Sequence, residues 1–145
     1  MNPKIVLTGT GIVDLLIGIT FFFGKEAILT GAFSGIGEEG LMVGSIFLEV
    51  MASLYVCMAI ILILSRDIEI SGAKKVVSGA GFGHLVIFAL MIFHTTKVPE
   101  GGDGGPPIPL MVIHAAIVIW ALFVAYKAES TEDDYDDPRV AHPSD

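Results

Sequence analysis

The sequence has one cysteine, one tryptophan and only eight lysine and arginine residues among 145. A lone thiol, Cys57, permits no intramolecular disulfide and no CxxC redox or zinc motif. Placed inside an apolar run, it reads as a buried, inert thiol, because reactive cysteines need an electropositive, accessible setting. Charge of either sign is scarce at 17% of residues, against about 25% in an ordinary soluble domain. The basic residues are outnumbered by 16 acidic ones, for a formal net charge of -8. That balance argues against a nucleic-acid partner, whose phosphates are met by lysine and arginine. There is no serine–histidine elbow motif and no P-loop, so no enzyme class is indicated.

What the sequence does have is apolar residues, 53% of the chain, collected into four runs at about 5–23, 41–64, 76–94 and 108–126. A bilayer core of about 30 Å needs about 20 such residues in a helix. No period-two alternation interrupts the runs, and unpaired backbone groups cannot be left in hydrocarbon, so helices are the reading. The expected fold is all-α, an integral membrane four-helix bundle occupying residues 1–127. The first run is longer than a signal-peptide core, carries Asp14 at its middle and lacks a small-x-small cleavage site, so it is expected to remain as a span. Pro109 suits a first helical turn and marks the start of the fourth span.

Lys4, Arg66, Lys74, Lys75, Lys127 and Arg139 fall on one side of these spans, and Lys25 and Lys97 on the other. The positive-inside rule then puts both termini in the cytoplasm, and the expected location is the plasma (inner) membrane. Residues 128–145, rich in Asp and Glu, read as a disordered acidic tail. Residues 25–33, with Ile28, Leu29, Ala32 and Phe33 at helical spacing, read as a short surface helix. Gly35-Ile36-Gly37-Glu38-Glu39-Gly40 matches G-x-G-x-x-G, but without a strand before it and with two acids inside it the motif reads as a turn, not a nucleotide site. Glu100 and Asp103, in the Gly- and Pro-rich loop before the fourth span, match no calcium-loop spacing.

The informative residues lie within the spans. Each run holds one ionisable side chain: Asp14, Glu49, His84 and His114. Even a lenient insertion scale charges about 2.5–3.5 kcal/mol for an ionised group at a helix centre, so these should point into the bundle. Counting 1.5 Å per residue from the non-cytoplasmic end of each run puts the first three about 12–14 Å deep and His114 about 8–9 Å deep. Small residues share their faces: Gly11 and Gly18 with Asp14, Ser45, Ser53 and Cys57 with Glu49, Gly81 with His84, Ala121 and Ala125 with His114. Gly79 and Gly83 form a small-xxx-small pair suited to a neighbouring helix. Tyr55, one and a half turns past Glu49, is expected to reach the same interior.

Three functions follow from this constellation. The first is a site for a small ligand, a proton or a metal, with Asp14, Glu49, His84 and His114 as oxygen and nitrogen donors but without the Glu-x-x-His spacing of bundle di-metal centres. The second is a structural or accessory subunit that binds membrane-protein partners, or a second copy of itself, through its glycine faces and acidic tail. The third is a b-type haem held by two of His84, His94 and His114, which requires two of them at one height.

Overall fold

The computed structural model describes residues 2–97 and 107–133, with side chains through residue 127. It contains four helices and, among the described residues, no strand: α1 (Pro3–Ala32), α2 (Glu38–Leu64), α3 (Ile70–Thr95) and α4 (Ile108–Asp133). All four are long and apolar enough to cross a membrane. Each outruns the apolar stretch that identified it, because helical hydrogen bonding continues through interfacial polar residues until a cap ends it. α1 opens with Pro3 in its first turn and Asn2 as N-cap, whose side chain accepts from the Lys4 amide at 2.9 Å. In α4 the Pro107 carbonyl takes the Leu110 and Met111 amides, and Pro109 sits in the first turn, where its missing N–H is harmless.

Two expectations about ends are corrected. Residues 25–32 are not a separate surface helix: they continue α1, giving a rod of 30 residues, about 45 Å at 1.5 Å per residue. Gly24 costs only about 1 kcal/mol inside a helix, and the continuation is held by α2. Leu29 is buried there against Gly44, where a Cβ would come within 2.8 Å of it. The tail also starts later than residue 128, since α4 runs to Asp133; Ala128 and Glu129 are good helix formers. The remainder of the tail, Arg139 and the loop residues Glu100 and Asp103 lie outside the described residues.

The G-x-G-x-x-G segment is a turn between two helices. Gly35 has φ 77°, Gly37 takes the N-cap position of α2, and Glu38 and Glu39 fill its first turn, where acids suit the helix dipole. A single 3-10 turn, Ser65–Asp67, leads into α3.

The chain makes two antiparallel hairpins. Along α1 and α2, Gly11 lies against Ala59 and Ile63, Gly18 against Ala52 and Val56, and Gly44 against Leu29. In α3 and α4, Gly81 lies against Ala121 and Leu122. α1 joins the hairpins by touching both α3 and α4. The end carrying both helix termini of the chain, here the terminal end, has a core drawn from all four helices: Val6, Leu7, Leu62, Ala73, Val77, Ala80, Ala121 and Val124. Elsewhere the usual distribution is inverted. Phe23, Leu64, Ile108 and Ile119 are more than two-thirds exposed, while Thr10, Asp14, His84 and His114 are buried. A water-soluble fold would not leave that much apolar surface open. Close packing on glycine and alanine with apolar side chains outward is the arrangement that lipid favours.

Candidate functional site

Three of the four ionisable residues within the apolar runs come together just beyond the terminal-end core, and Tyr55 joins them. Asp14 reaches this point because Gly11 and Gly18, on the same stripe of α1, let the backbone of α2 approach to contact. His84 is brought in by Gly81, one turn earlier on α3, which allows α4 to pack closely there. The resulting series runs across the bundle. An Asp14 carboxylate oxygen lies 3.4 Å from His84 Nε2, the His84 and His114 ring centroids are 5.1 Å apart, and His114 Nε2 is 2.9 Å from the Tyr55 hydroxyl. All four side chains are buried.

The tautomer of His114 follows from its partners. Nδ1 is 2.8 Å from the Leu110 carbonyl, which can only accept, so Nδ1 carries the hydrogen. In the neutral ring Nε2 therefore accepts, and Tyr55 O–H donates to it. Phe21 packs edge-on to the Tyr55 ring at a centroid distance of 5.7 Å and holds it in place. Tyr55→Phe should remove this one hydrogen bond, lowering stability by about 1 kcal/mol with the helices unchanged. Unfolding of the variant in mixed micelles measures it.

The other end of the series is less satisfied. Asp14 Oδ1, His84 Nδ1 and Thr10 Oγ1 are buried without a hydrogen-bond partner. Buried polar atoms are almost always partnered, so three unpartnered ones on adjacent helices are a cost that packing alone does not require. Thr10 was not singled out from sequence. Its signal is its place one turn before Asp14 on the same stripe of α1, a spacing that makes the two side chains neighbours.

Glu49 does not belong to the site. It pairs with Lys25 of α1, whose ammonium also lies 5.5 Å from the Phe22 ring centroid. Glu49 is six residues from Tyr55, about 9 Å along α2, toward the hairpin end. The antiparallel register explains the separation: residues level with one another in α1 and α2 have numbers summing to about 73, as 29 and 44 do, so Glu49 is level with residue 24, not with Asp14. Depth measured from the end of each apolar run does not contain that register. The Ser45, Ser53, Cys57 stripe fails with it, since the buried face of α2 is Ala52, Tyr55, Ala59 and Leu62. Cys57 is exposed, not buried. With the ion pair only partly buried, we expect Lys25→Met or Glu49→Leu alone to cost on the order of 1–3 kcal/mol, and the double variant to cost less than either. A double-mutant cycle in mixed micelles checks this.

A four-ligand metal set of Asp14, Glu49, His84 and His114 is therefore not assembled, and among the described residues no three His, Cys, Asp or Glu side chains gather for a metal. The haem set fares similarly. His94 lies exposed in the last turn of α3. The 5.1 Å between the His84 and His114 ring centroids is less than the roughly 6 Å that two imidazoles need to ligate one ion from opposite sides at about 2.0–2.1 Å each. Gly79 and Gly83 have nothing within 4 Å of a built Cβ, so the neighbour expected there is not supplied among the described residues.

No family model, no curated protein and no solved structure matches this chain. What the fold and site define is a class: an all-helical chain of four apolar helices of membrane-spanning length with a buried acid–imidazole–imidazole–phenol series at its middle.

Proposed function

We propose that this is an integral membrane protein of the plasma membrane, both termini cytoplasmic, whose working part is an intramembrane site that holds and exchanges a proton. One observation carries the reading: Asp14 beside His84, His84 beside His114 and His114 hydrogen-bonded to Tyr55 are buried together as neighbours in an apolar bundle. Ionisable residues are costly in lipid and are kept there for a task.

The Asp14–His84 pair has two forms that differ only in where one proton sits, a carboxylic acid beside neutral imidazole or a carboxylate beside imidazolium. At the other end, a proton added to His114 must go to Nε2, because Nδ1 already donates to Leu110. Nε2–H then donates to the Tyr55 oxygen, and the Tyr55 hydrogen is released from that bond. The contact between the two histidine rings sets these two proton-holding groups side by side.

The test is infrared difference spectroscopy on protein in lipid nanodiscs between about pH 5 and 8, the window in which imidazoles change charge. A carboxylic-acid carbonyl band that changes with pH and vanishes in Asp14→Asn is expected. Superimposable difference spectra for the wild type and Asp14→Asn, both folded, would falsify the proposal.

The orientation rests on Lys4, Arg66, Lys74, Lys75 and Lys127 at the terminal end of the bundle, against Lys25 and Lys97 toward the other. In a Cys57→Ala background, Ser34→Cys should react with an impermeant maleimide in intact cells, and Arg66→Cys only after permeabilisation. The reverse pattern rejects the orientation. The accessory-subunit reading keeps one observation of its own, the open Gly79–Gly83 face of α3. If it holds, Gly79→Ile with Gly83→Ile will abolish co-purification with a membrane partner and leave the proton-linked spectra intact.

A further inference from the structure

At the terminal end of the bundle a groove of about 410 Å³ opens between α1 and α4, lined by Lys4, Ile5, Thr8, Gly9, Ile12 and Trp120. The volume is within the range of small-molecule sites. Residue spacing builds the α1 wall: Lys4, Thr8 and Ile12 recur every four residues, and Ile5 and Gly9 repeat the interval one position on, so two adjacent rows of one helix make it. Thr8 Oγ1 donates to the Lys4 carbonyl at 2.9 Å, the ordinary resting place of a helical threonine, so its hydrogen is taken up within the helix. The α4 wall is the Trp120 indole, whose edge lies against Gly9: a Cβ there would come within 2.7 Å of Cη2.

The Gly9–Trp120 contact also fixes the register of α1 against α4. The two helices run antiparallel, so residues level with one another have numbers summing to about 129, as 9 and 120 do. Lys127 is then level with Asn2, two residues or about 3 Å beyond Lys4. It lies seven residues from Trp120, two turns along α4, and so on the same face. Two lysines, one from each helix, therefore stand at the mouth of the groove, and no acidic side chain lines it. Lys4 is half-buried, and the Lys127 ammonium is 5.5 Å from the Phe123 ring centroid. Both lay an apolar stem on apolar surface and carry the charge to its edge.

We infer that this groove binds an anionic phospholipid, its phosphate between Lys4 and Lys127 and one acyl chain along Ile5, Gly9 and Ile12 against Trp120. Charge complementarity selects the head, since lysines at a membrane surface favour anionic lipid. A zwitterionic headgroup brings a cation of its own to the same place and gains less from two ammonium groups. A free phosphate would meet the lysines but leave the apolar walls beneath them uncovered. Tryptophan suits the position, because an indole sits where acyl chains meet the headgroup region. The inference rests on reading the helices as membrane spans and is independent of proton exchange at Asp14.

Trp120 is the only tryptophan of the chain, so its fluorescence reports on this groove alone. The experiment is quenching of Trp120 in phosphatidylcholine vesicles by phosphatidylglycerol brominated on one acyl chain, against phosphatidylcholine brominated in the same way. The anionic lipid should half-quench at a mole fraction at least about fivefold lower, the worth of one lysine beside anionic lipid. Lys4→Met and Lys127→Met should each remove most of that preference and together abolish it. Lys75→Met, at the same end of the bundle but outside the groove, should leave it unchanged. Thr8→Phe, which fills the groove with both lysines in place, should also abolish the preference, and it decides the matter should the lysine variants fail to fold. The inference is overturned if the two brominated lipids quench the wild type alike, or if Lys75→Met lowers the preference as much as Lys4→Met. It is overturned as well if the preference emerges only once the acidic residues at 132–137 are neutralised, which would give the groove mouth to the tail. Absence of quenching by either lipid would show that Trp120 meets no acyl chain, and the membrane reading would fall together with the inference.

Discussion

Gly18→Leu is expected to destabilise the protein by about 3 kcal/mol, the upper part of the usual range for overpacking. A Cβ at Gly18 would stand 2.9 Å from the Ala52 carbonyl oxygen and 2.9 Å from Val56 Cγ2. The valine methyl can rotate away, but the carbonyl belongs to the α2 backbone and yields only if the helices separate. Gly18 is also within 3.4 Å, at Cβ, of Tyr55 Cβ, so separation draws Tyr55 away from His114 and breaks the site with the packing. Gly79→Leu is the matched control. It adds the same atoms where nothing lies within 4 Å and should change stability by no more than about 0.5 kcal/mol. Reversible unfolding in mixed micelles of detergent and SDS measures both, and equal losses would show that the α1–α2 contact is not the tight one.

Asp14 and His84, replaced together by leucine, are expected to leave the bundle as stable as before, or more stable by about 1–4 kcal/mol, and to abolish the pH-dependent carboxyl band that the proposed proton site predicts. Two buried polar side chains whose contact is 3.4 Å long and which each keep an unpartnered atom stabilise a fold poorly, and apolar replacement of such pairs is often favourable. Asp14→Leu alone should instead cost about 1–3 kcal/mol, because the buried His84 Nε2 then loses the carboxylate beside it. The sign change between the single and the double variant is the diagnostic. If the double variant loses more than the single one, the pair serves packing, and the argument that it is retained for chemistry fails. Natural proteins commonly keep such locally unfavourable groups where function needs them.

The four helices could be found in the sequence because a bilayer imposes a run length, and Asp14, His84 and His114 could be found because hydrocarbon penalises them wherever they sit. Their convergence was also partly legible: Gly11 and Gly18 beside Asp14, and Gly81 beside His84, are the residues that close approach requires, and each is packed as that role demands. Glu49 shows where such reasoning stops. Its depth within its own run was close to that of Asp14, yet depth is not register, and a partner such as Lys25 at the edge of a run is invisible to a search confined to run interiors. Cys57 failed for the same reason, since a stripe repeating every four residues identifies a face without saying which way it turns.

Properties that depend on hydrophobicity and helical period, namely the number of spans and the rarity of charge inside them, are local sums over consecutive residues and need no partner to be evaluated. Which ionisable groups meet, which threonine is left without its usual backbone bond, and where a groove opens between α1 and α4 depend on the rotation and sliding of whole helices. Those are settled by where glycine lets two backbones touch, a pairwise property of residues far apart in the chain. The scarcity of charge with which the sequence begins therefore accounts for four helices long and apolar enough to cross a bilayer, and the packing of α1 against its three neighbours decides that Asp14, His84 and His114 meet while Glu49 does not.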